Sequence, residues 1–169
     1  ADLAYLYLDW AEALDLHGAV LVGASFGGWV AAEMMVRDRA RFAHLVLSAP
    51  LGIKVGGRED RDIADFFALD EEEFIALSFA DPAKGRRDLG VLDDAQLAAH
   101  FRSHETLAFY GWQPYMHNPQ LRHWLHRIRR PTLLIAGTGD RFVRPGYHAT
   151  YAAGIPGARL VTLDQARSE

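Results

Sequence analysis

The run Gly23-Ala24-Ser25-Phe26-Gly27 places a serine between small neighbours at the spacing G-x-S-x-G. That spacing has chemical meaning where a buried strand runs straight into a helix, because a serine on such a tight turn is lifted clear of the backbone as a nucleophile. The flanking residues meet the condition. Residues 19–23 form a continuous apolar run, which predicts a strand buried on both faces, as in a helix-covered parallel sheet. Val30, Ala31, Met34 and Met35 recur at helical spacing over residues 26–37. Gly23, Ala24, Gly27 and Gly28 are small enough for strand and helix to approach each other. The turn also sets Ser25 at a helix N-terminus, where unpaired N–H groups favour an oxyanion, and the N–H of Phe26 is the expected donor. A glycine-rich turn that only packs strand on helix is the plainer alternative. The G-x-G-x-x-G pattern of a dinucleotide-binding loop is absent.

A serine hydroxyl needs a base, and the base needs a carboxylate to orient it. Asp140 is the candidate acid. It lies in the loop of residues 137–144, just after an apolar run at 132–136, and so at the same sheet edge as Ser25. An aspartate in a turn after glycine is again the plainer reading. The chain has eight histidines. His17 and His44 stand where strands begin, at the opposite edge. His148 falls in the helix after the acid loop and is expected on the surface. His100, His104, His117, His123 and His126 belong to the long middle segment. The pairs His100/His104 and His123/His126 have helical spacings that metal sites use, but the glutamate of H-E-x-x-H is missing. They are expected to be solvated faces, with no metal bound.

The elements that position these residues fall into three parts. Residues 1–51 carry a helix with Leu3, Leu6, Tyr7, Trp10 and Leu14 on one face, then strand, helix and a second strand at 43–48. That strand–helix–strand unit is expected to cross over right-handed. Residues 52–128 contain no convincing buried strand. Helical patterns are predicted there at 62–69, 71–79, 93–110 and 119–128, separated by glycine and proline. Residues 129–169 return to the first grammar, with a strand at 132–136, a helix at 147–153 and a strand at 159–163.

The bulk properties agree with a folded α/β domain. The chain has 169 residues, half of them hydrophobic, and a net charge of −4. That charge, with no basic run, speaks against a nucleic-acid partner. No apolar stretch is long enough to cross a bilayer. Cysteine is absent, which excludes thiolate chemistry and suits the cytoplasm. The chain starts with Ala1 inside a helical pattern and stops at Glu169 without a closing helix, so both ends look cut.

Three stretches together resemble the α/β-hydrolase superfamily. "LVGASFGGWVAAEM" is similar to its nucleophile elbow. "NPQLRHWLHRIRRPTLLIAGTGDRFVRP" resembles the end of a helical cap followed by the acid-bearing strand and loop, and "IPGARLVTL" resembles the strand that leads to the catalytic histidine. "FYGWQPYMHNPQL" is similar to a cap segment of the meta-cleavage-product hydrolases and related esterases. The resemblance implies an α/β-hydrolase fold, a mostly parallel sheet flanked by helices with an inserted helical cap at 52–128. It implies Ser25 as nucleophile, Asp140 as triad acid and Phe26 N–H as one oxyanion donor, with no metal or organic cofactor. The substrate implied is a small hydrophobic acyl compound, an ester or an activated C–C bond. Trp112, Tyr115 and Met116 are expected to roof it. Epoxide hydrolases and haloalkane dehalogenases share the fold but use an aspartate where this chain has Ser25.

The chain departs from the pattern at both ends. The strands that precede its first helix in the family are missing, and with them the second oxyanion donor. Arg167 and Ser168 stand near where glycine and histidine are usual. Either the chain ends before the histidine or that position has diverged. A chain without its base is expected to be nearly inert, and a small-molecule binder of the same fold is the alternative to an enzyme.

Overall fold

A computed structural model describes residues 2–65, 67–86 and 88–164. Its centre is a four-stranded, wholly parallel sheet in the order β1-β2-β3-β4. The strands are β1 (Ala19–Ala24), β2 (Phe42–Ser48), β3 (Thr132–Gly137) and β4 (Arg159–Leu163). The helices are α1 (Asp2–Ala13), α2 (Ser25–Arg37), α3 (Glu71–Ser78), α4 (Pro82–Gly85), α5 (Asp94–Gly111), α6 (Leu121–Trp124) and α7 (Tyr147–Gly154). Two predicted helices, at 71–79 and 93–110, therefore form as α3 and α5. Each opens on a capping box, Asp70 with Glu73 and Asp93 with Gln96, so that two orphan N–H groups are satisfied at each start.

The parallel register decides which side chains share a face. Leu21 pairs with Leu45, Gly23 with Leu47 and Leu47 with Leu134, so these lie on one face. There Leu45, Leu47 and Leu134 are buried together with Trp29 and Met35 of α2 and Tyr147 and Tyr151 of α7. Val20 and Val22 point the other way and are exposed. The expectation that β1 is buried on both faces is thus corrected. Among the described residues β1 is an edge strand, and its outward valines meet no covering element.

A polar hub ties α2 to the segment before β3. The buried carboxylate of Glu33 accepts hydrogen bonds from Trp29 Nε1 (3.1 Å) and Asn118 Nδ2 (2.8 Å) and is paired with Arg37. Tyr147 makes a similar tie: its hydroxyl accepts from Ile53 N (3.0 Å) and donates to Ile53 O (3.1 Å).

The predicted helix at 62–69 does not form. Ile63 instead makes an antiparallel bridge with Val143, Ala64 N donates to Phe142 O (2.7 Å), and Arg144 N donates to Asp62 O (2.8 Å). Long-range pairing with the acid loop has overridden local helical pattern. Asp62 anchors it. Its buried carboxylate accepts from Val55 N (2.7 Å), Gly56 N (3.0 Å) and Arg144 (3.0 Å), with Lys54 Nζ at 3.4 Å. Burial alone would raise its pKa, but the two backbone N–H groups and the two cations outweigh that and hold it below the usual aspartate value. A depressed carboxyl stabilises the fold above the unfolded-state value of about 4, and this stabilisation is lost as pH falls through the folded-state value. Asp62→Asn is therefore expected to cost about 3 kcal/mol at neutral pH. Thermal melts should show it as a fall of roughly 6–12 °C that narrows in acid.

Candidate active site

Ser25 stands where β1 ends and α2 begins, and its φ of 48° is left-handed. A side chain at such an angle costs roughly 1–3 kcal/mol and persists only where surrounding structure imposes it. The constraints are visible. A Cβ on Gly23 would lie 2.4 Å from Gly27 O, so strand and helix are in contact across the turn. Leu51 N donates to Ser25 O (3.1 Å), which ties the turn to the loop after β2. Not every small residue is needed for that approach. A Cβ on Gly27 would meet nothing within 4 Å, whereas one on Gly28 would come within 2.9 Å of Pro50 Cβ. The closeness therefore rests on Gly23 and Gly28, and the expectation for Gly27 is corrected.

The first turn of α2 has Ala24 at its N-cap, and no side chain caps it. Its leading N–H groups, Phe26 among them, lack intrahelical partners by geometry and point beyond the helix end beside Ser25. The Phe26 ring packs edge-on against Trp29 at 5.4 Å, which fixes this turn against the core.

Ser25 opens into a cavity of about 610 Å³ whose other walls come from the end of β2 and from residues 67–104. Ser48 and Ala49 lie beside it, and Ala49, like Ser25, has a left-handed φ. Phe67, Phe74, Ile75 and Phe79 supply the apolar wall. His100 and His104 also line this cavity; His104 is exposed and His100 half-buried, in keeping with the expected solvated face, and that face borders the cavity of Ser25. No cluster of three or more metal-binding side chains occurs among the described residues.

Asp140 follows β3. Its carboxylate accepts from Phe142 N (2.9 Å), which fixes the turn. Because Ser48 pairs with both Ala24 and Ile135, the ends of β1, β2 and β3 share one sheet edge. The strands that lead to Ser25 and to the Asp140 loop are thus two strand spacings apart, about 10 Å, with β2 between them.

The expected roof is placed differently. Trp112 (60 % exposed) and Tyr115 line a separate cleft of about 530 Å³ with Asp60, Asp62 and His117. Both pack on Phe67, at 6.0 and 6.4 Å between ring centres, and so back the wall of the Ser25 cavity instead of facing it. Met116 is fully buried against Gly111, as a core residue. Arg167 and Ser168, where the family histidine is expected, lie outside the described residues.

His148 is buried (7 % exposed), not on the surface as its position after the loop implied. It is drawn in because α7 packs its first turn under the acid loop. Burial lowers its pKa, and the charge of Asp140 and the Pro50 carbonyl offset this only in part. Its Nε2 is enclosed with no hydrogen-bond partner among the described residues. A lowered pKa keeps the ring neutral in the fold while the unfolded chain takes up a proton below about pH 6.5. Stability is then complete above that pH and falls as pH drops from there toward the folded-state value, by up to about 1.4 kcal/mol per pH unit. Urea unfolding between pH 5 and 8 should show this slope, and His148→Gln should flatten it.

A parallel sheet flanked by helices, with a left-handed serine at the first strand–helix turn, is the arrangement the described residues form. The chain matches the alpha/beta hydrolase family over residues 1–167, and it belongs to that family. Among solved structures it is similar to a serine hydrolase from the polyaromatic-hydrocarbon-degrading bacterium Cycloclasticus zankles (17 % identity, TM-score 0.71, covering 98 % of this chain and 62 % of that one). It is also similar to a meta-cleavage product hydrolase from Pseudomonas fluorescens IP01 (15 %, 0.71, 96 % and 62 %). An esterase from Exiguobacterium antarcticum is a third (16 %, 0.67, 98 % and 65 %). At these identities the likeness is one of fold. The chain spans less than two thirds of the length of each. No curated protein matches it. No helix among the described residues is long and apolar enough to cross a membrane.

Proposed function

We propose that the protein is a serine hydrolase that cleaves a small hydrophobic acyl substrate, an ester or an activated C–C bond, through an acyl-enzyme on Ser25. The observation that carries this reading is the left-handed Ser25 at the mouth of a largely apolar cavity. Residues 52–128 act as the cap over it. In the first step Ser25 Oγ attacks the acyl carbon and its proton passes to an imidazole base. The carbonyl electron pair moves to oxygen, where Phe26 N–H donates to it, a contribution on the order of 3 kcal/mol. Collapse of this intermediate breaks the bond to the leaving group, which takes the proton from the base. Water then hydrolyses the acyl-enzyme by the same route in reverse order.

Asp140 orients the base. Both loops leave the same edge of the sheet, so an imidazole set between them could meet Ser25 with one ring nitrogen and Asp140 with the other. From the likeness of residues 155–163 to the strand that leads to the family's catalytic histidine, we place that base after β4. The scheme uses no metal or organic cofactor, no nucleic acid and no membrane, and we assign the protein to the cytoplasm from its cysteine-free sequence. The full-length protein is expected to be labelled at Ser25 by a fluorophosphonate. Absence of labelling there would overturn the hydrolase reading in favour of a binding protein that holds a small molecule without turnover.

A further inference from the structure

The cavity in front of Ser25 is not uniformly apolar, and the character of its polar end is specific. His104 Nδ1 lies 3.1 Å from the backbone carbonyl of His100. A carbonyl only accepts, so the proton of the neutral ring sits on Nδ1, and Nε2 is left as a bare acceptor. The His100 ring rests against the His104 ring at 4.6 Å and holds it in place. At the start of α3 the exposed acidic residues Asp70 and Glu71 belong to the same lining, with one Asp70 carboxylate oxygen accepting from Glu73 N as the helix cap (2.8 Å). Among the described residues of the lining there is no lysine or arginine to receive an anion. The charged groups of the lining are therefore anionic, and a carboxylate or phosphate on the ligand would meet like charge.

We infer that His104, steadied by His100, forms a subsite that accepts a hydrogen bond from a hydroxyl on the substrate, so that the favoured substrates are apolar acyl compounds carrying a hydroxyl away from the cleaved bond. This rests on the hydrolase reading of Ser25 and adds the substrate class. The apolar wall of Phe74, Ile75 and Phe79 takes the carbon chain between the reacting carbonyl and the hydroxyl. A carboxylate at that position is rejected.

Three p-nitrophenyl esters test this on the full-length protein: hexanoate, 6-hydroxyhexanoate and the monoester of adipic acid. The hydroxy ester should exceed hexanoate in kcat/KM by about fivefold, the ratio expected from one neutral hydrogen bond. The acidic ester should be the poorest. His104→Phe should bring the hydroxy-to-plain ratio to about one through KM, and His104→Gln, whose side-chain oxygen still accepts, should restore part of it. His123→Phe, in a histidine outside the cavity, should leave the ratio unchanged. A ratio near one in the unaltered protein, a ratio that survives His104→Phe, or a preference for the acidic ester each overturns the subsite. Absence of turnover of all three esters, with Ser25 unlabelled, overturns instead the hydrolase reading on which it rests.

Discussion

Replacing Ser25 by alanine should lower kcat of the full-length protein on an acyl ester by about 10⁶, because members of a triad act as a unit and the loss of one forfeits most of their joint effect. The fold should not notice. Ser25 is exposed at the cavity mouth, and among the described residues no hydrogen bond of its side chain secures the core. Alanine meets the same penalty at a φ of 48° as serine does, so the melting temperature should stay within about 2 °C. Ser25→Gly makes the sharper experiment. Glycine occupies left-handed φ without strain, so this variant should be equally inactive and yet as stable as the parent or more so, by up to about 1 kcal/mol. An inactive and stabilised protein is the signature of strain kept for chemistry. Equal activity in the parent and Ser25→Ala would remove Ser25 from the mechanism.

Gly23→Ala should be strongly disruptive, because the added methyl has only backbone to push against. The added carbon would lie 2.4 Å from Gly27 O, 2.7 Å from Gly27 C and 2.8 Å from Gly28 Cα. All three are backbone atoms, so no side chain can swing aside, and β1 and α2 must separate. The expected loss is about 3 kcal/mol or more, seen as a melting temperature lower by roughly 6–12 °C. Activity should fall as well, since separation of strand and helix moves Ser25 away from Phe26 N–H. Gly27→Ala provides the contrast. Nothing lies within 4 Å of a carbon placed there, and alanine is the better helix former by about 1 kcal/mol. It should be neutral or stabilising in the same melts. The two glycines that bracket Ser25 are thus predicted to behave in opposite ways, although a motif treats them alike.

Much of this architecture is legible in one dimension. The strands at 43–48, 132–136 and 159–163 are found within one residue of the predicted ends, because short apolar runs bounded by glycine and proline have few other uses. α2, α3 and α5 follow from their helical patterns. Local chemistry marked Ser25 and Phe26 together, because one strand–helix turn carries both. Asp140 was placed at the same sheet edge by the rule that loops leaving parallel strands gather there.

What escaped the sequence lies in contacts between distant residues. The pattern at 62–69 is helical by itself, yet Asp62 and Ala64 pair with residues 142–144 instead. His148 reads as a surface residue until α7 is docked under the acid loop. Trp112 and Tyr115 line another cleft, while His100 and His104 line the cavity that holds Ser25. Periodicity tells which residues share a helix face; it carries no information on what that face will meet. For Ser25 the sequence was sufficient to name the residue and the chemistry its type allows. The cavity it opens into, with its apolar wall and its acidic residues, comes from residues 23 to 79 positions away along the chain, brought together only by folding.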